Sequence, residues 1–209
     1  MRIVLSLAVI LIVLSACEEQ VRLPYYNDAS FEPVWPAESG QSVDEMHQIV
    51  PFRFINQQGE TITQADTDGH IYIASFFFTV CPSICPTMTG NLLLVQEEFG
   101  DEDLLMLSHS VTPEIDSVAR LRDYAAEHGV IAGKWHLLTG DQEEIYTLAR
   151  KSYFAEEEIG LQKGSDDFLH TENFLLIDKQ RHIRGVYNGT LATDMQRLMQ
   201  DIRYLQAED

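Results

Sequence analysis

Apolar and polar positions change their period repeatedly between residues 49 and 205, so that strand-like runs alternate with helix-like runs. Residues 71–78 form a nearly continuous apolar run, which is typical of a buried strand, whereas 87–99 and 116–128 repeat apolar side chains at helical spacing. This alternation predicts an α/β layer structure. The predicted elements are a hairpin over 51–63, a strand over 71–78, a helix over 87–99, a strand over 104–111, a helix over 116–128, a strand over 135–138, a helix through 150 that Asp141 caps, strands over 172–178 and 182–188, and a helix over 191–205.

This order of elements predicts the fold class: an α/β, thioredoxin-like fold with an extra N-terminal hairpin and an inserted hairpin or loop before the strand at 172–178. The segment from Glu18 to about Gly40 carries three prolines and shows neither period, so it predicts a tether. Its aromatic residues are expected to pack on the domain or to contact a partner, and packing is the favoured interpretation. These aromatic residues are Tyr25, Tyr26, Phe31 and Trp35.

The first residues have the layout of an export signal. Met1-Arg2 gives a positive start, residues 3–14 are almost wholly apolar, and Leu14-Ser15-Ala16-Cys17 ends the stretch with small residues. The apolar stretch is short for a membrane span, which needs about 20 residues. Leu14 to Cys17 resembles a bacterial lipobox, which implies cleavage before Cys17 and acylation of its thiol. We therefore expect a lipoprotein signal peptide over 1–16, an acylated N-terminus and tether over 17–45, and one domain over 46–209.

Charge excludes some partners. Removal of residues 1–16 takes away one positive charge, Arg2, and changes the formal charge from −19 to −20. Nucleic acid and anionic lipid surfaces are therefore poor partners. The acidic residues are scattered, which favours a solvated surface over a binding tail. The chain is expected to be exported and anchored to a bacterial membrane by the lipid on Cys17, with its domain in the periplasmic or extracytoplasmic space.

With Cys17 assigned to lipid, Cys81 and Cys85 are the whole thiol inventory of the domain. They follow the buried strand at its carboxyl end, where open α/β sheets place their chemistry. Three residues separate them, unlike the Cys-x-x-Cys of common redox proteins. Because residues i and i+4 share a helix face, the pair is plausible both as a disulfide and as a two-thiolate metal clamp.

Two thiolates favour soft Cu(I), and a histidine would complete a three-coordinate site that also tolerates Cu(II). Most histidines are expected to be exposed or merely hydrogen-bonded, and His170, at a loop tip just before the strand at 172–178, is the best candidate. The other histidines are His47, His70, His109, His128, His136 and His182. Met88 and Met106 lie in helix and strand patterns, where core packing is the better account.

Three segments together resemble the SCO/SenC family: residues 78–88 around the two cysteines, 110–117, and 170–178 beginning at His170. The resemblance covers roughly Val50 to the C-terminus. It implies a thioredoxin-like fold and one copper ion per chain, bound by Cys81, Cys85 and His170. It also implies delivery of copper to the binuclear copper site of cytochrome c oxidase, or maintenance of that site's thiols. The implied partners are the copper-bearing oxidase subunit, other copper chaperones and thiol reductants.

The chain departs from the family at Thr112-Pro113, where an aspartate usually precedes the proline. This puts in doubt any partner contact or supporting role of that carboxylate, but not the three ligands. The main alternative is a membrane-anchored thiol-disulfide oxidoreductase that uses Cys81 and Cys85 as its catalytic pair, although residues 167–172 lack the expected proline. A peroxiredoxin is less favoured, as is a structural lipoprotein with an inert disulfide. Whether the protein is an enzyme stays open.

Overall fold

The computed structural model describes residues 23–100, 102–155 and 171–208. No helix in these ranges is long and apolar enough to cross a membrane. Single 3-10 turns occur at Val43–Glu45 and Gln64–Asp66. The other elements are β1 (Tyr25–Tyr26), β2 (Pro33–Val34), α1 (Pro36–Ser39), β3 (Arg53–Ile55), β4 (Thr61–Thr63), β5 (Ile71–Phe77), α2 (Cys85–Glu98), β6 (Leu104–Ser110), α3 (Val118–His128), β7 (Trp135–Leu138), α4 (Gln142–Lys151), β8 (Asn173–Ile177), β9 (Ile183–Asn188) and α5 (Ala192–Ala207).

The described strands form a main sheet in the order β2-β1-β9-β8-β5-β6-β7, beside the β3-β4 hairpin. β5, β6 and β7 are parallel, whereas β8 runs antiparallel to β5 and β9 antiparallel to β8. The hairpin attaches to the sheet through reciprocal backbone hydrogen bonds of 2.9 Å between Ile55 and Thr139. This arrangement confirms the predicted α/β, thioredoxin-like class and its extra N-terminal hairpin.

β5 lies inside the sheet, and all seven of its residues are buried. Its alternate side chains supply two separate cores. Ile71, Ile73 and Phe77 pack with α2, α3 and α5, whereas Tyr72 and Phe76 pack with the hairpin and α4. A strand covered on both faces by other elements has no solvent-facing side, which explains why its sequence is apolar rather than alternating.

Capping residues and glycines in the sequence predicted several helix ends correctly. Asp141 caps α4 by accepting a hydrogen bond from the N–H of Glu144 (3.0 Å), as predicted. Gly129 ends α3 in a left-handed conformation with φ 74°, which a glycine adopts without strain. Two helix starts differ from the prediction: α2 begins at Cys85 rather than at Thr87, because Pro86 fits its first turn, and α3 begins at Val118 rather than at Asp116. Cys85 is therefore a helical residue.

The described part of the N-terminal segment, for which the sequence predicts a tether over 17–45, packs on the domain. Tyr26 of β1 pairs with Ile183 at the start of β9. Arg184 fixes the segment further by donating to the carbonyl oxygens of Leu23 (2.9 Å) and Pro24 (3.1 Å). Two-residue strands carry no readable periodicity, so the sequence pattern could not reveal this pairing.

A buried arginine explains why this segment is held. Arg184 is only 5% exposed and forms ion pairs with Asp178 (3.2 Å) and Glu208 (3.0 Å). A buried guanidinium must satisfy its donors, and the carbonyl oxygens of the segment supply two of the acceptors. The guanidinium also lies 4.2 Å from the ring centroid of Tyr25. The ring centroids of Tyr26 and Phe31 lie 6.3 Å apart, and both side chains pack against the core that contains Tyr72 and Phe76. The preferred interpretation, packing on the domain, holds for these three aromatic residues.

His109 of β6 is fully buried between the sheet and the hairpin. Its ring contacts the rings of Phe52, Phe54, Phe76 and Tyr153 at centroid distances of 5.3–6.1 Å. Neither ring nitrogen has a hydrogen-bond partner within the described part of the chain. Burial lowers the pKa of His109 from 6.5 to about 3, so the folded protein holds this ring neutral.

We expect the substitution His109→Leu to stabilise the protein more strongly in acid than at neutral pH. The unfolded chain protonates His109 near pH 6.5, whereas the folded protein does so only near pH 3. The penalty for burying His109 in its neutral form is therefore absent above pH 6.5, and the wild-type protein loses stability as the pH falls from 6.5 towards 3. At about pH 5 this group lowers the unfolding free energy by about 2 kcal/mol. Denaturant unfolding of both proteins near neutral pH and in mild acid measures the difference, and parallel pH dependences contradict the prediction.

Candidate metal centre

The thiol loop, residues 78–84, connects β5 to α2 and carries Cys81. The N–H of Cys81 donates to the carbonyl oxygen of Phe78 (3.3 Å), which turns the loop back on itself. Cys85 then opens α2, and Pro86 lies in the first turn, where helical amides have no intrahelical partner. Both cysteines thus lie between the carboxyl end of β5 and the amino end of α2, as the sequence predicts.

The two free thiols occupy different environments: Cys81 is half-buried, and Cys85 is buried. Desolvation alone raises the pKa of Cys81. Hydrogen bonds from the Cys85 thiol and from the N–H groups of Cys85, Ser83 and Ile84 outweigh this, so its net pKa lies below 9.0. For Cys85, desolvation and the hydrogen bond to Cys81 raise the pKa to about 12. Cys81 therefore ionises first, while Cys85 holds its proton.

A pocket of about 330 Å³ opens beside both cysteines. Thr171, just before the neighbouring strand β8, also lines this pocket. The register explains this, because β8 is antiparallel to β5 and Leu175 pairs with Ala74. Residues that enter β8 therefore lie beside residues that leave β5. The other lining residues are mostly apolar: Phe76, Phe77, Phe78, Pro82, Ser83, Ile84 and Val111.

Two of the three predicted ligands, Cys81 and Cys85, line the same pocket. Cys81 and Cys85 share the pocket with Thr171, which follows His170 in the chain. His170 and the predicted lipidation site, Cys17, lie outside the described residues. Within the described ranges, no group of three or more His, Cys, Asp or Glu side chains could hold a metal ion. The described donor set is therefore a pair of sulfurs.

Other candidates from the sequence have contacts of their own. Met88 and Met106 are buried in the core, as expected. Apart from His109, the described histidines contact groups other than the thiols: His47 the carbonyl oxygen of Ser152 (2.7 Å), His70 the carboxylate of Asp103 (2.5 Å), His128 the ring of Tyr124 (4.2 Å), His136 the amide of Asn56 (3.3 Å) and His182 the carbonyl oxygen of His47 (3.0 Å).

Sequence reasoning missed the role of a buried carboxylate beside the thiol loop. Asp116 is fully buried, and Ser110 and Thr112 donate their hydroxyl hydrogens to it at 2.6 and 3.2 Å. Thr79 of the thiol loop donates to it as well. Thr112, the position of the family departure, is thus a hydrogen-bond donor. Hydroxyl residues clustered around an aspartate after a buried strand were the available signal.

The sequence was compared with protein-family models and with known proteins, and both comparisons find SCO1/SenC proteins. A family model described as SCO1/SenC matches residues 41–206. A protein named SCO1 protein homolog, from Bacillus subtilis (strain 168), is 31% identical over 160 residues, which are 75% of this chain and 82% of the relative. The similarity therefore extends over most of both chains.

Three solved structures have similar folds. A SCO1/SenC family lipoprotein from Bacillus anthracis str. Ames is 27% identical with a TM-score of 0.67, covering 77% of this chain and 95% of that one. BsSco, described as a member of the Sco family of cytochrome c oxidase assembly proteins with a disulfide switch, is 29% identical with a TM-score of 0.66, covering 78% and 95%. Arabidopsis thaliana ScoI with copper bound is 27% identical with a TM-score of 0.59, covering 74% and 97%.

We expect iodoacetamide to alkylate Cys81 at least about tenfold faster than Cys85 in the reduced, metal-free protein at neutral pH, because the thiolate is the reactive form. Mass mapping of the modified peptides over time measures the two rates. In strong denaturant the two environments disappear, and the rates should become similar. Equal rates in the folded protein contradict the proposed difference between the thiols.

Proposed function

Because the chain belongs to the SCO1/SenC family, we propose that it is a copper metallochaperone for cytochrome c oxidase. It binds one copper ion through Cys81 and Cys85, with His170 as the third ligand. It delivers the ion to the copper-bearing oxidase subunit or keeps that subunit's thiols reduced. Other copper chaperones and thiol reductants are its further partners. The observation that carries the proposal is the shared pocket of both cysteines and Thr171, the neighbour of His170.

The donor chemistry favours copper over hard ions. Sulfur ligands select soft metals such as Cu(I), and the described residues that line the pocket are largely apolar and include no carboxylate. The raised pKa of Cys85 means that this thiol is protonated at neutral pH. Copper must displace that proton in order to bind, so copper affinity rises with pH.

Copper binding can be tested by metal titration of the reduced protein. We expect one Cu(I) per chain, and loss of binding in the Cys81→Ser, Cys85→Ser double variant. His170→Ala should weaken Cu(II) binding much more than Cu(I) binding, by about 10-fold or more, because imidazole suits the oxidised ion. His70→Ala, at the opposite end of β5, is the matched control and should bind as the wild type does. Normal copper binding by the double serine variant overturns the proposal.

A second function, thiol-disulfide exchange, is favoured by the unequal thiols. The Cys81 thiolate attacks an acceptor disulfide and forms a mixed disulfide, releasing one acceptor thiol. Cys85 then loses its proton and attacks Cys81, which forms the intramolecular disulfide and releases the second acceptor thiol. Two electrons pass from the pair to the acceptor. Rapid reduction of a model disulfide in the absence of copper favours this function over metal delivery, and the dithiol reduction potential shows which acceptors it can reduce.

The proposed location is the extracytoplasmic face of a bacterial membrane, with an acyl anchor on Cys17. The lipobox-like segment supports it, as does the similarity to a solved SCO1/SenC family lipoprotein. Electrostatic attachment to anionic lipid is disfavoured by the formal net charge of −19, which becomes −20 after the proposed removal of residues 1–16. A soluble domain held in this way remains close to membrane-embedded acceptors.

We expect mass spectrometry of the mature protein to find an acylated Cys17 as the first residue. Cys17→Ser should abolish the acyl mass and move the protein from the membrane fraction to the soluble fraction, because a single amphiphilic anchor is removed. Cys81→Ser is the matched cysteine control and should stay in the membrane fraction. An unmodified N-terminal residue in the wild-type protein contradicts lipidation.

A further inference from the structure

We infer that Asp116 and Thr79 form a positioning pair for the metal centre, in which the buried carboxylate fixes the thiol loop and so sets where Cys81 lies relative to Cys85. This inference rests on the proposed copper site for its functional meaning. The described hydrogen bonds of this pair join the thiol loop to the connection after β6, so we expect both residues to act through the position of the loop.

Asp116 is a buried carboxyl group that needs hydrogen-bond donors. Asp116 is 0% exposed, and burial of a carboxyl group is costly unless the group is hydrogen-bonded. It accepts four hydrogen bonds: from the N–H of Thr79 (3.2 Å), the hydroxyl of Thr79 (2.5 Å), the hydroxyl of Ser110 (2.6 Å) and the hydroxyl of Thr112 (3.2 Å). Hydrogen bonds to a charged acceptor are shorter and stronger than neutral ones.

The groups that donate hydrogen bonds to Asp116 come from two different connections of the chain. Ser110 ends β6, and Thr112 lies in the connection to α3, so their bonds organise the segment that contains Asp116. Thr79 belongs to the thiol loop and is two residues before Cys81, so its two bonds join two separate connections of the chain. Because β5 and β6 are parallel, both connections leave the sheet at the same edge. Asp116 thereby fastens the thiol loop to the adjacent strand connection.

The hydroxyl group of Thr79 also interacts with a positively charged side chain. Arg120, in the first turn of α3, donates its Nε–H to the hydroxyl oxygen of Thr79 (3.0 Å). The Thr79 hydroxyl therefore accepts from a cation and donates to an anion, which orders it in one orientation. Hydrogen bonds in such a chain polarise and strengthen one another. This arrangement makes the Thr79 hydroxyl, rather than its bulk, the critical group.

Thr112 fits the same account. An aspartate at this position would place a second carboxylate against the buried Asp116, where like charges repel. Threonine instead supplies a donor at 3.2 Å. In this chain the residue at position 112 therefore supplies one of the hydrogen bonds that hold Asp116.

The test compares Thr79→Val with Thr79→Ser. Valine keeps the shape and β-branching of threonine but removes the hydroxyl, whereas serine keeps the hydroxyl. We expect Thr79→Val to speed Cu(I) release to a competing chelator by about 10- to 100-fold, which is the usual effect of removing a group that orients a metal ligand. Thr79→Ser should remain near the wild type. The thiolate-to-copper absorption of the Cu(II) form should shift in the valine variant alone.

Asp141→Ala is the matched control for stability. It removes the N-cap of α4 and so lowers stability, but it lies outside the thiol loop, and it should leave copper release and the absorption spectrum unchanged. Asp116→Asn is a second variant and should change copper release in the same direction as Thr79→Val. Wild-type release and spectrum in a folded Thr79→Val protein overturn the inference.

A metal-free readout separates this inference from the copper proposal. The rate at which iodoacetamide alkylates Cys81 depends on the loop conformation that presents N–H groups to its sulfur. We expect this rate to change at least about threefold in Thr79→Val and to be restored in Thr79→Ser. If the wild type binds no copper while this pattern appears, the copper proposal fails and the positioning inference stands. If copper binds while neither readout changes, the inference fails alone.

Discussion

The burial of β5 on both faces is the constraint on which the rest of the structure depends. Side chains that alternate along this strand supply both cores, so the strand cannot shift its register by one residue without exchanging its two sets of side chains. Its carboxyl end is therefore a fixed point. The thiol loop begins there, and β8 starts beside it because the two strands are antiparallel. The packing of one strand thus determines where two distant segments of the chain meet.

The environment of the metal centre divides two chemically identical side chains. Cys81 receives N–H groups from the turn that begins α2, while Cys85 points into the core. In a dithiol of this kind, one thiol ionises readily and can act as the nucleophile or the first ligand. The second thiol stays protonated until a new bond to its sulfur replaces the S–H bond. Copper binding and disulfide formation both form such a bond. The two proposed functions therefore draw on one physical property and can belong to one cycle.

Much of the fold could be predicted because its signals are local. The apolar runs of β5 and β6, the Asp141 cap and the Gly129 terminator depend on neighbours a few residues away. The pairing of Tyr26 with Ile183 and the burial of Arg184 depend on residues more than 150 positions apart, and no periodicity reports them. The site shows the same division. The positions of Cys81 and Cys85 followed from sequence spacing, whereas the contact between Thr79 and Asp116 required the parallel neighbours β5 and β6.

The acidic charge of the chain and the selectivity of its site have separate origins. The formal net charge of −19 raises the local concentration of all cations and does not discriminate between them. Asp116 is the carboxylate that could have offered a hard oxygen ligand next to the thiol loop, but four hydrogen bonds occupy its oxygens and burial isolates it. In the proposed copper site, the carboxylate that we infer to hold the loop is thus withheld from the metal. Discrimination between ions then rests on the proposed sulfur ligands, which hard ions bind poorly.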